Sequence, residues 1–362
     1  MNEDITHLRR LSRIHQGAVS SLFRLYDGIG LLRIAVPTLV GITGACENVS
    51  TLFSIEGSKR LHLTQTGQLA LEQALQFAHG VYCETQSFRT DRVDERHLNE
   101  FTLIEEEVCC SHPSIGLTVG SYPVDAFFDL LLTHITHAIR ALVAGALDEG
   151  GEVLDELSAD RKRLETALVA PFARVTYSEA IHLLNSRGAV SPITWGQDLK
   201  SAHELLLLKI IEERNGTGQI PVFVTHFPKE IKFFNMKVNE DDPRTVYSAD
   251  LLLPGVGEAV GSALREDDHV KLVDRLLTSV MFAHIRELGL ATLDDFAPYL
   301  NVVDKGRTAP HAGYGIGLER VIQYIIGCTD IRRSSVTYIL NRLMGFGREV
   351  DELQRGSESP GF

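Results

Sequence analysis

The order of apolar and polar positions divides the chain into helices and strands. Across residues 5–28, leucine, isoleucine and valine recur at helical spacing, which predicts an amphipathic helix. Residues 81–90 and 100–108 predict two strands of an antiparallel hairpin, joined by a long charged loop. Residues 122–150 are apolar over a helical length, and the two histidines and the arginine inside this run favour a core helix over a membrane span.

The second half of the chain alternates between strand-like and helix-like segments. Residues 152–168 and 270–288 each predict one helix, whereas residues 232–238 and 247–264 predict strands bounded by Pro, Gly and Asp turns. Residues 310–327 predict a strand that runs into a helix. Consecutive antiparallel strands with helices packed outside them indicate an α+β fold, an antiparallel sheet flanked by helices, and not a parallel Rossmann sheet.

Composition narrows the class of protein. The 362 residues are 44% hydrophobic and 23% charged, which suits a soluble globular chain with a substantial core. We expect one domain over residues 1–350 and a disordered tail over 351–362. The net charge of −13 disfavours general binding to nucleic acid. Five cysteines without CxxC spacing, and no apolar leader at the N-terminus, predict a cytoplasmic protein without structural zinc.

The charged loop of the predicted hairpin is the first segment with candidate chemistry. Cations surround its tip and an aromatic residue lies on the returning strand; the residues are Arg89, Arg92, Arg96, His97 and Phe101. Arginine makes bidentate contacts to phosphate oxygens, and an aromatic face can stack on a purine. A solvated charged turn explains the same residues when this segment is taken alone.

A glycine-rich strand is the second such segment. Gly313, Gly315 and Gly317 alternate, so they remove the side chains from one face of the predicted strand. A bare face lets a flat ring lie against the backbone, although glycine in a strand can also mark a bulge. The spacing is not GxGxxG, which excludes the dinucleotide and P-loop motifs. Glu319 and Arg320 follow where the helix begins.

A third segment carries two carboxylates on neighbouring strands. The Pro254–Gly255 turn can bring Asp250 and Glu258 together, and such a pair beside a phosphate suits Mg²⁺. Arg265 lies an odd number of residues after Glu258, so a β-bulge is required if both are to face the same site.

In combination, these segments resemble motifs 2 and 3 of class II aminoacyl-tRNA synthetases, and within that class the asparaginyl/aspartyl branch, with the asparaginyl enzymes as the nearer match. The resemblance extends over about residues 8–345, and the matching segments stand in the family's order: RHLNEFTLIEEE, PFARVTYSEAI, WGQDLKSAHE, HFPKEIKFFNMK, DLLLPGVGEAVG and PHAGYGIGLER. It implies a class II catalytic domain that binds ATP and Mg²⁺ and forms a homodimer.

The resemblance also implies residue roles at the nucleotide. Arg89 would hold the α-phosphate and the substrate carboxylate. Arg96 and His97, with Asp91 in the same loop, would meet the outer phosphates. Phe101 would stack on one face of the adenine, and Arg320 would stack on the other face and contact the γ-phosphate. Asp250 and Glu258 would bind the metal.

For the amino-acid substrate, the resemblance implies that Glu47 and Gln68 receive the α-ammonium group. Arg265 would read the side chain, with Lys232 on the neighbouring strand. The chain departs from the family here, because Asn235 replaces a tyrosine and Ser262, Ala263 and Leu264 replace Gly-Ser-Gln. Leu71 stands where aspartyl enzymes carry a lysine, and Asp91 where the family has Glu.

These features predict an AMP-forming ligase that adenylates aspartate, asparagine or a close analogue. The family's N-terminal anticodon-binding domain has no counterpart before the first predicted helix, which argues against tRNA as the acceptor. The leading interpretation is therefore transfer to ammonia or a small amine, as in the archaeal asparagine synthetase related to asparaginyl-tRNA synthetase. Transfer to tRNA or to a protein side chain is the alternative, and a non-catalytic paralogue is the third hypothesis.

Overall fold

A mostly antiparallel sheet organises the part of the chain that the computed structural model describes, residues 2–41, 49–55, 57–58, 61–188, 191–216 and 218–346. The strands in these ranges are β1 (Leu32–Arg33), β2 (Leu39–Val40), β3 (His62–Leu63), β4 (Gly80–Phe88), β5 (Glu100–Cys109), β6 (Ala173–Thr176), β7 (Val222–Thr225), β8 (Ser248–Leu253), β9 (Gly257–Leu264) and β10 (His311–Gly317).

The helices in the same ranges are α1 (Asn2–Gly28), α2 (Gln68–Ala74), α3 (Val124–Glu156), α4 (Arg161–Val169), α5 (Tyr177–Ser186), α6 (Ser201–Asn215), α7 (His269–Thr278), α8 (Val280–Glu287), α9 (Leu293–Asp304), α10 (Leu318–Ile326) and α11 (Val336–Leu343), with short 3₁₀ turns at Val49–Thr51, Lys229–Ile231 and Ile331–Arg333.

Eight of the described strands form one sheet in the order β1-β4-β5-β10-β9-β8-β7-β6. Its neighbours are antiparallel except for β1 with β4 and β6 with β7, while β2 and β3 pair separately. The predicted α+β class, an antiparallel sheet flanked by helices, is confirmed. Strands β5, β10 and β9 lie side by side at the centre, although β10 follows β9 only after three intervening helices.

The long helices α1 and α3 cover one face of this sheet. They cross at Gly17 and Gly145, where a Cβ atom on Gly145 would lie 2.2 Å from the Gly17 carbonyl oxygen. Side chains from both helices pack with alternate residues of the central strands into the largest core cluster. By length and composition α3 could also span a bilayer, but 56% of its most apolar stretch is buried inside the protein, as in a core helix.

Three predicted elements differ from the structure. The predicted helix over 152–168 is interrupted between α3 and α4, where Ser158 adopts φ 55° and Asp160 caps α4. The predicted helix over 270–288 is two helices, because the Ser279 side chain caps α8. Residues 232–238, all of them described, make isolated bridges at Met236 and Val238 in place of the predicted strand. The predicted tail over 351–362 lies outside the described residues.

Candidate functional site

A cleft of about 270 Å³ opens on the sheet face opposite α1 and α3. Gly315 and Gly317, two of the three alternating glycines of β10, form part of its floor between β5 and β9. Position 313 requires glycine, because a Cβ atom there would lie 2.1 Å from a Glu107 carboxylate oxygen and overlap it. A Cβ atom on Gly315 or Gly317 would lie 3.5–3.6 Å from its nearest neighbour, an ordinary contact distance. A side chain at these two positions would therefore mainly fill the cleft.

The cleft brings together nearly all the residues that the sequence singled out. Its lining includes every predicted site residue of the described ranges: Gln68, Arg89, Asp91, Arg96, His97, Phe101, Lys232, Asp250, Glu258, Arg265 and Arg320. Glu47 lies outside the described residues. Arg92, a further cation of the loop, is not among the lining residues that the structure describes.

Guanidinium groups concentrate at one end of the cleft. The Arg89 guanidinium lies 5.4 Å from the centre of the Phe101 ring. Arg96 donates to the Val256 carbonyl at 3.0 Å, and Arg320 donates to the Glu258 carbonyl at 2.5 Å. Several guanidiniums that converge on one open space form a site for an anion with several charged oxygens, such as a polyphosphate.

The two predicted metal ligands face the same point of the sheet. The position of a Cβ atom on Gly261 would lie 3.5 Å from a Glu258 carboxylate oxygen and 4.0 Å from one of Asp250. The β-bulge that the sequence required between Glu258 and Arg265 is present. The β8–β9 register shifts between Leu251, which pairs with Val260, and Leu252, which pairs with Glu258. The two carboxylates provide the oxygen ligands that Mg²⁺ prefers. Lys232 Nζ lies 2.7 Å from an Asp250 oxygen, so this carboxylate already has one cationic partner.

An inner pocket lies at the other end of the cleft, and Arg265 is its centre. Arg265 is buried, and its Nε and Nη2 atoms donate to one oxygen of Glu107 at 3.1 and 2.5 Å. Glu72 of α2 lies behind this pair, with a carboxylate oxygen 3.8 Å from Arg265 Nε. The cation that was predicted to read a substrate side chain is therefore paired with carboxylates of the protein itself.

Glu72 receives four hydrogen bonds, so its negative charge is well satisfied. The donors are Gln68 Nε2 (2.8 Å), Asn235 Nδ2 (2.8 Å), the Tyr299 hydroxyl (2.7 Å) and His311 Nε2 (3.2 Å). Burial alone would raise the pKa of Glu72, but the His311 hydrogen bond and the Arg265 charge lower it. Burial alone would lower the pKa of His311, but Glu72 raises it. Both groups are therefore favoured in their charged forms.

Glu107 is the more weakly stabilised carboxylate of the inner pocket. Burial raises the pKa of Glu107 to about 7, even though the Arg265 charge acts to lower it. With Glu107 ionised, two carboxylates balance the two cations Arg265 and His311. The inner pocket is then close to electrically neutral.

Comparison with known proteins agrees with this geometry. The sequence model of a family described as tRNA synthetases class II (D, K and N) matches residues 6–337. The chain belongs to this family. It is accordingly an AMP-forming ligase of the class II aminoacyl-tRNA synthetase type, and its catalytic core is the fold described above.

Individual relatives of the class II chain are asparagine–tRNA ligases. That of Clostridium novyi (strain NT) is 31% identical over 360 residues, covering 91% of this chain and 71% of the relative. That of Thermococcus gammatolerans (strain DSM 15229 / JCM 11827 / EJ3) is 33% identical over 308 residues, covering 84% and 62%.

A solved structure of this class matches the fold closely. The asparaginyl-tRNA synthetase of Pyrococcus horikoshii, complexed with asparaginyl-adenylate, superposes with a TM-score of 0.76 at 27% identity. The match covers 91% of this chain and 68% of that one. The predicted resemblance to a class II synthetase core of asparaginyl type is confirmed.

Several groups of this class II site were assigned no role from the sequence. They are Glu72, Glu105, Glu107, Tyr299 and His311. Glu72 could have been found, because it lies one helical turn after Gln68 and so shares its face of α2. Glu105 and Glu107 alternate on β5 and also share a face, but a run of three glutamates gave no sign that all three are buried.

Glu105 lies between the inner pocket and the guanidinium end. It accepts hydrogen bonds from the Gly67 amide at 2.6 Å and from the Thr66 hydroxyl, and it lines the cleft. Burial raises the pKa of Glu105, while the hydrogen bonds from Thr66 and Gly67 act to lower it. An anionic carboxylate at this place can receive an ammonium group.

Proposed function

We propose that this chain activates the α-carboxylate of asparagine with ATP, giving asparaginyl-adenylate and pyrophosphate. The observation that carries the proposal is a single cleft with clustered guanidiniums at one end and a charge-balanced inner pocket at the other. A nucleoside triphosphate suits the guanidinium end, and a small amino acid suits the inner pocket. The substrate carboxylate would lie where the two halves meet.

Chemically, the reaction needs positioning and charge neutralisation, and it needs no nucleophile from the protein. A carboxylate oxygen forms a bond to the α-phosphorus while the bond from that phosphorus to the bridging oxygen breaks and pyrophosphate leaves. Arg89 would stabilise charge at the α-phosphate, and Arg96 and Arg320 would stabilise it at the departing phosphates. Asp250 and Glu258 fit a Mg²⁺ ion, which would supply further positive charge when bound.

The inner pocket supports asparagine over aspartate as the substrate. With Glu107 ionised, its two cations already face two carboxylates of the protein, so a substrate carboxylate would add an unbalanced charge in a buried place. A neutral amide adds none, and it can both donate and accept hydrogen bonds. Aspartate is the substrate that an ammonia-dependent asparagine synthesis would require, so this argument also counts against that interpretation.

For the acceptor, we propose tRNA. The named relatives are tRNA ligases, and they support this choice better than the ammonia or small-amine acceptor that the sequence favoured. Transfer to ammonia or a small amine is the second candidate, supported by the net charge of −13, which is unfavourable for a polyanionic partner. A homodimer, as the resemblance implies, and a cytoplasmic location, as the cysteine pattern indicates, are part of the same proposal.

Pyrophosphate exchange, measured with each amino acid in turn, tests the activation step. We expect exchange with asparagine and at most weak exchange with aspartate. Arg320→Ala should lower the exchange rate by roughly 100-fold or more, because it removes a cation that acts on the departing phosphates. Arg244→Ala is the matched control, since Arg244 is an exposed arginine paired with Asp242.

The acceptor is tested by supplying tRNA, ammonia or small amines with asparagine and ATP and identifying the product by mass spectrometry. Asparaginyl-tRNA is the expected product. Exchange with no amino acid would disprove the activation step, whereas exchange followed by amide formation without tRNA would replace the proposed acceptor.

A further inference from the structure

Helix α6 contributes a buried carboxylate to the back of the guanidinium end of the cleft. Glu204 lies on α6 and is 7% exposed. Its Oε2 atom accepts a hydrogen bond from the Glu258 amide at 3.1 Å and lies 3.9 Å from Arg96 Nη2. Glu204 is not among the described lining residues of the cleft. It therefore reaches the site through Arg96 and the backbone of β9, and not through the open space itself.

Both guanidiniums that would meet the outer phosphates dock on the same short stretch of backbone. Arg96 donates to the Val256 carbonyl, and Arg320 donates to the Glu258 carbonyl. Two like charges held this close repel each other, and the Arg320 charge adds to burial in lowering the pKa of Arg96. The charges of Glu204 and Asp94 act in the opposite direction and raise the pKa of Arg96. Burial and the Glu258 charge raise the pKa of Glu204 itself to about 7, so its carboxylate is fully charged only above that pH.

The backbone next to Glu204 is shaped to accommodate the carboxylate. Gly257 adopts φ +94°, a conformation that favours glycine. A Cβ atom at this position would lie 2.3 Å from Glu204 Oε2. The turn between β8 and β9 can therefore approach the carboxylate only with glycine at position 257. The backbone of Glu258 is held at two points: its N–H donates to Glu204, and its carbonyl accepts from Arg320.

We propose that Glu204 is a positioning residue for adenylation, whose carboxylate holds Arg96 and the turn at Val256–Glu258 in place to receive the outer phosphates of ATP. This inference rests on the proposed function. Glu204 does not touch the nucleotide; it offsets the repulsion between Arg96 and Arg320 before ATP arrives. Its effect is therefore confined to ligands that carry a β- or γ-phosphate.

Binding of ATP and AMP to Glu204→Gln tests the proposal by calorimetry. The glutamine keeps an acceptor for the Glu258 amide but loses the charge. We expect the Kd for ATP to rise roughly tenfold, the order of effect of one charge-assisted contact, and the Kd for AMP to stay within twofold. Glu204→Asp, which keeps the charge on a shorter side chain, should recover part of the ATP affinity. Glu213→Gln, at an exposed position of α6 paired with Arg187, is the matched control.

A double-mutant cycle with Arg96→Ala gives a second readout. If Glu204 acts through Arg96, adding Glu204→Gln to Arg96→Ala should change the Kd for ATP by less than twofold. Equal weakening of ATP and AMP by Glu204→Gln, or full additivity in the cycle, would overturn the proposal. These binding measurements do not depend on the amino acid. An absence of pyrophosphate exchange in the unmodified chain would therefore disprove the proposed function. The binding test of Glu204 would still give its own answer.

Discussion

Arg265 and Glu107 meet where solvent has almost no access, with exposed fractions of 5% and 1%. At such a position, loss of either partner would leave a buried charge without compensation, and this is strongly destabilising. The pair also accounts for Gly313, since no other residue leaves room for the Glu107 carboxylate. The same three residues thus determine the shape of the inner pocket and its charge.

Removal of the Arg265 charge should strongly destabilise the fold. Arg265→Met leaves Glu107 without its main cation, and we expect the free energy of unfolding in urea to fall by about 3–5 kcal/mol. The double variant Arg265→Met/Glu107→Gln should recover part of this loss, because it removes the isolated charge. A single variant with unchanged stability would contradict the assignment of a buried ion pair.

At the residue scale, the sequence identified the groups that lie on motifs. Arg89, Phe101 and Arg320 were predicted because the motifs that carry them resemble those of a known class, and all three line the cleft. Tyr299 and His311 could not be predicted to meet Glu72, because they come from segments more than 200 residues away in the chain. A contact of that kind depends on the packing of α9 and β10 against α2, which no local pattern encodes.

At the element scale, the segment 232–238 shows why a local pattern can mislead. Its composition predicts a strand, but two of its backbone carbonyls bond to a side chain and the segment forms no full strand ladder. Arg275 of α7 donates to the carbonyls of Phe233 and Met236, and also to that of Lys229. This arginine therefore fixes the irregular segment that carries Lys232 and Asn235 into the site.

Loss of the Arg275 contacts should loosen that segment. Arg275→Met leaves several carbonyls without their donor, and we expect a loss of about 2–3 kcal/mol in the free energy of unfolding. Hydrogen exchange should also accelerate at the amides of residues 233–238. Lys271→Met, on the exposed side of the same helix, is the control and should change neither quantity. Faster exchange spread evenly over the chain would argue against a local role.

A buried pair between α3 and β5 makes the stability depend on pH. His134 Nδ1 lies 2.7 Å from a Glu106 oxygen; burial lowers the pKa of His134, but Glu106 outweighs it and raises the pKa above 6.5. The stabilisation from a raised pKa is complete below the unfolded value and is lost as the pH rises through the folded value.

The pair is tested by urea unfolding of the unmodified chain and His134→Gln at several pH values. We expect the stability difference between the two to shrink as the pH rises above about 6.5. A difference that grows with pH would show that His134 is neutral in the folded state. Comparison with the variant is needed because raised pKa values of buried carboxyl groups, such as Glu319 at about 7, act in the same direction.

At the scale of the whole molecule, the two-ended cleft predicts which ligands stabilise the protein. A non-hydrolysable analogue of asparaginyl-adenylate should fill both ends, and at 100 times its Kd it should add about 2.7 kcal/mol to the free energy of unfolding. At the same concentration the aspartyl analogue should add clearly less, because a further negative charge in the inner pocket raises its Kd. Thermal unfolding with each analogue measures this, and equal stabilisation would contradict the argument for asparagine.

The order of the central strands explains what could be predicted about the whole molecule. The sequence indicated the β4–β5 hairpin and the β8–β9 turn, because each joins neighbours in the chain. It could not indicate that β10 lies between β5 and β9, since three helices separate β9 from β10 in the chain and seven separate β5 from β10. The resemblance to a known class supplied the fold class, an antiparallel sheet flanked by helices, but the strand order came only from the structure.

The three consecutive glutamates of β5 have a consequence for folding. Glu105 and Glu107 point into the cleft, while Glu106 points to the opposite face, where it bonds His134 and Tyr314. A strand that paired one residue out of register would exchange these faces and place two carboxylates among the apolar side chains of α1 and α3. Mispaired forms of the central sheet are thus penalised electrostatically, and β5 can settle in one alignment only.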